Sequence, residues 1–202
     1  MMKMYFKFLQ SIIETIDRKP IGELLEALSL LQREHGRLFI LGVGGSAANA
    51  SHAVNDFRKL TNIQAYAPTD NVSELTARTN DEGFETIFEE WLKVSRLKKK
   101  DMVLVFSVGG GNKEKNVSVN LIRALDYANG IGAKTAGIVG RDGGYTKKIA
   151  DICVMIPTTN PSLVTPYVES FQAIIWHFLV FNPLLNVKEG KWESIKIDYL
   201  TK

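Results

Sequence analysis

The chain has 202 residues, 45% hydrophobic and 23% charged, an ordinary globular usage that excludes a disordered or fibrous protein. Its length suits one sizeable core, so we expect a single domain over 1–202, with N-terminal helices over about 1–36 and a polar tail over about 183–202. A formal net charge of +3, from 25 basic and 22 acidic residues, is too small for a protein that binds nucleic acid.

The first stretch, MMKMYFKFLQSIIETIDRK, is apolar but interrupted by Lys3, Lys7, Gln10 and Glu14, which predicts an amphipathic helix over 4–17 and not a signal peptide. Leu24, Leu25, Leu28, Leu30 and Leu31 recur at helical spacing and predict a second helix over 20–35. His35 stands at its C-terminal end, where a cation offsets the helix dipole, so we read it as structural.

RLFILGV (37–43) is an almost wholly apolar run ended by glycines, the pattern of a strand buried on both faces. A helix over 46–60 follows, then a weaker strand in QAYAPT. Asp70 or Asn71 is placed to cap a helix through VSELTAR. A helix over 84–97 carries Phe84, Ile87, Phe88 and Trp91 on one side, read as core. The basic cluster of Arg96 and Lys98 to Lys100 reads as a solvated loop.

The strand–helix pattern then repeats. DMVLVFSVGGGN gives a strand at 102–106 and a Gly-rich loop, followed by a helix over 117–130; AKTAGIVGRDGG gives a strand and a glycine turn. ADICVMIP is a fifth strand, and a long helix spans 165–181. The single cysteine, Cys153, forms no internal disulfide and reads as a small buried hydrophobe, which suits a reducing cytoplasm. No stretch approaches the roughly 18 consecutive apolar residues of a membrane span, so we expect a cytoplasmic protein without membrane contact. The tail KEGKWESIKIDYL is expected to pack loosely or wrap a neighbouring subunit.

Alternating strands and helices imply an α/β fold with a parallel sheet covered on both faces. Such sheets bind ligands beyond the carboxyl ends of their strands, which selects the loops 43–46, 107–118 and 140–145. In the first, Gly44, Gly45 and Ser46 open a helix whose free N–H groups and dipole suit an anion. It is not a P-loop, and Ala47 fills the third glycine place of GxGxxG, so the dinucleotide reading is weak and no nucleotide cofactor is expected. In the second, Ser107 and Ser118 offer hydroxyls, and Val108 with Gly109 to Gly111 offers backbone amides. Together the loops favour a small phosphorylated ligand.

His52 and Asp56 stand four apart on one helix and share a face. Glu169, Ala173 and His177 follow one another at i, i+4 steps on the last helix, which predicts that Glu169 and His177 share a side. The four groups suit a divalent metal such as zinc or metal-free acid–base chemistry, and spacing does not decide between them.

GVGGSAANASHAVNDF, ARTNDEGFETIF, FSVGGGN, GIVGRDGGYTKKIADICVMIP and ESFQAIIWH together resemble the sugar isomerase (SIS) domain family, and within it most closely the phosphoheptose isomerases, over about residues 8–181. The resemblance implies a three-layer αβα sandwich around a five-stranded, flavodoxin-like parallel sheet, and a homotetramer with active sites lined by more than one subunit. It implies interconversion of sedoheptulose 7-phosphate and D-glycero-D-manno-heptose 7-phosphate through an enediol, with Asp56 as base and His177 as acid or shuttle. Asn80, Asp81, Ser107, Ser118 and Glu169 then match substrate-site positions, and one zinc per active site would be held by His52, Asp56, Glu169 and His177. Where the family pattern has Asn, Glu and Gln, this chain has Val43, Asp56 and Glu169, and its second loop is longer and richer in glycine. The alternative reading is a non-catalytic SIS module that binds a sugar phosphate and regulates a partner protein.

Overall fold

A computed structural model describes residues 2–195. Two helices, α1 (Met2–Thr15) and α2 (Lys19–Arg33), precede β1 (Arg37–Gly42) and α3 (Gly45–Thr61). Then come β2 (Gln64–Tyr66), α4 (Val72–Glu82), α5 (Ile87–Val94), β3 (Met102–Ser107) and α6 (Val119–Ile131). The chain closes with β4 (Lys134–Val139), α7 (Gly144–Ile149), β5 (Ile152–Met155) and α8 (Val164–Phe181).

The five strands pair in parallel in the order β2-β1-β3-β4-β5, the flavodoxin-like arrangement. Alternate strand residues point to opposite faces, and each face has its own core. Leu38, Ile40, Leu104, Phe106 and Ile138 meet α2, α3 and α8 on one side; Phe39, Leu41, Val103 and Val105 meet α5 and α6 on the other. The result is the expected three-layer sandwich.

Register sets where a ligand can sit. Gly42 pairs with Phe106 and Ser107 with Val139, so β1, β3 and β4 end level and their loops lie side by side. At the opposite end, buried Asp101 accepts the Arg37 backbone N–H at 2.9 Å and forms an ion pair with its guanidinium at 2.6 Å.

Several local expectations are corrected. Helix α5 begins only at Ile87, and Phe84 is exposed in the turn before it, while Ile87 and Phe88 are buried as expected. Of the two residues expected to cap α4, Asn71 does so, accepting the Glu74 N–H at 3.2 Å. Helix α7 was not foreseen. Cys153 is half-buried, and burial pushes its thiol up to about 11. The tail is anchored as far as Val187, whose N–H donates to Leu60 O at 2.9 Å, and Leu185 is fully buried; the end of the tail, 196–202, lies outside the described residues. No helix among the described residues is long and apolar enough to cross a membrane.

Candidate active site

Helix α3 packs against α8, and their contact gathers the titratable groups. His52 Nε2 lies 3.4 Å and His177 Nε2 3.5 Å from Asp56 Oδ2. The two imidazole rings meet edge to face at 5.5 Å. Asp56 is buried between them, and the histidines are open to solvent. The same Oδ2 accepts the Trp176 indole N–H at 3.0 Å, and Oδ1 accepts the Asn55 amide at 3.0 Å. Trp176 is itself fixed, stacked on Phe106 of β3 at 5.9 Å. The carboxylate therefore has one oxygen shared by three neighbours and one held only by Asn55.

His52, Asp56 and His177 each offer one ligand atom, all within 4.8 Å of one another. Two imidazoles and a carboxylate suit zinc with a position left open for substrate or water. Glu169 does not join them. Eight residues at about 100° each bring Glu169 about 80° round the helix from His177, within one broad face but two turns away. Its carboxylate stands over Gly45 instead, with both oxygens 2.5 Å from where a Cβ on that glycine would be. It thus places negative charge beside the N-terminus of α3, which no side chain caps. In this structure Glu169 therefore stands apart from the His52–Asp56–His177 group with which the sequence reading joined it.

Between Glu169 and Trp176 lies Gln172, fully buried. Its amide donates to Ser46 Oγ at 3.1 Å and accepts from Asn49 at 2.8 Å, while Asn49 also donates to Glu169 O at 2.9 Å. This buried network sets the position of α8 on the glycine loop.

At the carboxyl edge of the sheet a cavity of about 340 Å³ opens between β1 and β3, the switch point of the strand order. Its walls include Ser46, Ser107, Val108, Gly109 and Ser118, with Arg141 and Lys115 at the rim. Ser107 Oγ accepts the Gly110 N–H at 3.0 Å, so that amide is not free for a ligand as the sequence suggested. Gly110 is needed for another reason: at φ +70 it lies against Gly143, whose carbonyl would be 2.0 Å from any Cβ there. Tyr145 N–H and Thr146 N–H then donate to the carbonyls of Gly111 and Gly110, both at 2.9 Å, and clamp the two loops together.

The cavity and the His–Asp–His cluster are separate within one chain. His52 lies six residues beyond Ser46, about 9 Å along the helix axis at 1.5 Å per residue. Asn80 and Asp81 reach neither; they are exposed near the end of α4, where Asn80 donates to Asp81 at 2.7 Å. Trp176, Gln172, Lys115 and Arg141 are the neighbours the sequence reading missed. The loop 140–145 that carries Arg141 was selected, but nothing in its residues marked the arginine.

The strand order, the glycine loops on the carboxyl edge and the titratable cluster beside them define an α/β ligand-binding domain of flavodoxin-like topology. The chain belongs to the SIS domain family, whose model matches residues 4–140. It is 31% identical over 183 residues to the phosphoheptose isomerase of Syntrophotalea carbinolica, covering 86% of this chain and 87% of that one. Identity to the phosphoheptose isomerase of Trichlorobacter lovleyi is 34% over 165 residues, 79% of each chain. The solved phosphoheptose isomerase GmhA of Neisseria gonorrhoeae shares the fold, with a TM-score of 0.73 and 24% identity over 87% of this chain and 90% of that one.

Proposed function

We propose that the protein is a sugar-phosphate aldose–ketose isomerase that converts sedoheptulose 7-phosphate to D-glycero-D-manno-heptose 7-phosphate through an enediol. The observation that carries this reading is the Asp56 carboxylate, buried between two solvent-facing histidines and held by Trp176. Similarity to phosphoheptose isomerases supports the substrate class.

Asp56 Oδ1, which accepts only from Asn55, takes the proton from the carbon next to the carbonyl and, after exchange with solvent, delivers one to the former carbonyl carbon. His177 carries the hydroxyl proton from one oxygen to the other, since a neutral imidazole both gives and takes protons near pH 7. No proton is gained or lost overall. If zinc were held by His52, His177 and Asp56 Oδ2, it would polarise the carbonyl and stabilise enediolate charge in place of the His177 proton shuttle. The phosphate anchors in the carboxyl-edge cavity, and an extended seven-carbon chain spans the distance from there to the cluster.

A homotetramer completes the site in this reading. Ile13 of α1 with Ile174 and Phe178 of α8 lines an exposed apolar groove, which suits burial by another subunit. Asn80 and Asp81, remote from the cavity of their own chain, then serve a neighbour's site. We place the enzyme in the cytoplasm, where the lone thiol stays reduced.

The test is incubation of purified protein with sedoheptulose 7-phosphate, with and without chelator, following aldose formation. Conversion supports the assignment. Binding of the sugar phosphate without turnover in either condition would favour the regulatory module instead.

A further inference from the structure

Between Gly111 and Ser118 the chain builds a small hairpin along one wall of the carboxyl-edge cavity. Asn112 and Val117 exchange two backbone hydrogen bonds, at 2.9 and 3.0 Å, and Asn112 Oδ1 accepts the Lys115 N–H at 2.8 Å. Asn116 and Ser118 both hold left-handed backbone, at φ +50 and +52, a conformation that non-glycine residues adopt at some cost. The hairpin is therefore a shaped element and not slack.

It separates two cavities and gives each a different lysine. Lys113 lines an outer groove and is already occupied: its ammonium is 3.2 Å from Asp126 Oδ2 and lies 4.6 Å over the Tyr145 ring. The Tyr145 hydroxyl donates to the other Asp126 oxygen at 2.6 Å, and this bond raises the Tyr145 pKa. These contacts pin the hairpin to α6 and α7. Lys115 instead lines the inner cavity, together with Ser107 and Ser118. Arg141, at φ +54, runs along Gly109 into the same cavity. Among the described residues neither Lys115 nor Arg141 has an ion-pair partner.

Next to Ser46 of the cavity wall, Glu169 puts negative charge over Gly45, which makes the α3 N-terminus a poorer seat for an anion. An anionic group is thus directed away from the first glycine loop and toward the hairpin. Asp142 also lines the cavity, but its Oδ1 accepts the Gly144 N–H at 3.2 Å, and a guanidinium, an ammonium and two hydroxyls remain to hold a dianionic phosphate.

We propose that Lys115 and Arg141 form a cationic clamp on the substrate phosphate, and that the Lys113–Asp126–Tyr145 cluster is the positioning element that presents Lys115 to the cavity. The proposal rests on the isomerase reading only in taking the ligand to be a sugar phosphate.

The test compares wild type, Lys115→Gln, Arg141→Gln, the double variant, Lys115→Arg and Tyr145→Phe. Binding of sedoheptulose 7-phosphate and of unphosphorylated sedoheptulose is measured by calorimetry, and turnover in parallel. Each glutamine variant should weaken phosphate-ester binding and raise KM about tenfold or more, the size of a lost charge-assisted hydrogen bond, with kcat within about twofold. Lys115→Arg should restore most of the affinity, and Tyr145→Phe should raise KM by a smaller factor. Unphosphorylated sugar should bind all forms alike. A double variant with unchanged Kd and KM for the phosphate ester overturns the clamp, as does a wild type that binds no phosphate ester. Loss of binding in the double variant of a protein without turnover supports the clamp and rejects the isomerase reading; normal turnover with unchanged KM does the reverse.

Discussion

Trp176 donates its indole N–H to Asp56 Oδ2 at 3.0 Å across 120 residues of sequence. The ring also packs against both site histidines, 5.3 Å from His52 and 5.0 Å from His177. One side chain therefore orients all three groups of the cluster.

Trp176→Phe keeps most of the packing and removes the donor. A hydrogen bond to a charged group is worth about 1.5–3 kcal/mol, so turnover should fall by about tenfold or more while KM changes little. Steady-state kinetics beside a near-UV dichroism spectrum checks this. A rise in KM at constant kcat would assign Trp176 to substrate binding.

Metal content separates the residues of the cluster. His52→Gln and His177→Gln should each weaken zinc binding by about tenfold or more, measured by titration of the apoprotein. Glu169→Gln should leave zinc stoichiometry and affinity unchanged, because its carboxylate sits over Gly45 and not among the ligands. Loss of zinc in Glu169→Gln would restore it as a ligand.

These residues also mark what the sequence made legible. The strands were readable because buried parallel strands are near-continuous apolar runs, and RLFILG and MVLVFS are such runs. His52 and Asp56 were readable because four residues on a helix fix a shared face. The eight-residue step from Glu169 to His177 keeps both on one broad face of α8 but two turns apart, and the Glu169 carboxylate lies over Gly45. Trp176, Gln172, Lys115 and Arg141 gave no local signal; each acts through a tertiary contact or a cavity. Helix α7, six residues in GYTKKI, is too short to show an apolar period, and Phe84 is exposed in the turn before α5, which starts at Ile87.

Oligomerisation should depend on the α1–α8 groove. Phe178→Glu places a charge among Ile13, Ile174 and Phe171, and should reduce the mass seen by light scattering to that of a smaller assembly, with helical dichroism retained. An unchanged mass would locate the subunit contact elsewhere.

Stability at the far end of the sheet rests on Asp101, which accepts the backbone N–H groups of Arg37 and Lys98 at 2.9 Å and pairs with the Arg37 side chain. Asp101→Ala leaves these donors without an acceptor and should cost roughly 3–5 kcal/mol in denaturant unfolding. Because the pair is remote from the carboxyl-edge cavity, KM of the surviving folded protein should not change.

The Cys153 thiol, pushed up to about 11, should be almost wholly protonated at pH 8. Alkylation by iodoacetamide should be slow there and accelerate as pH rises toward 11. Rapid labelling at pH 7 would show that the thiol is more open than its place beside Met155 implies.

The proposed chemistry makes Asp56 the group that moves the carbon-bound proton. Isomerisation of sedoheptulose 7-phosphate in deuterated water, followed by proton NMR, reads that transfer directly. The account predicts aldose product carrying solvent deuterium at the carbon next to the carbonyl, and a rate lower by about two orders of magnitude or more in a folded Asp56→Asn variant. Product formed by Asp56→Asn at the wild-type rate, with the same labelling, would contradict it.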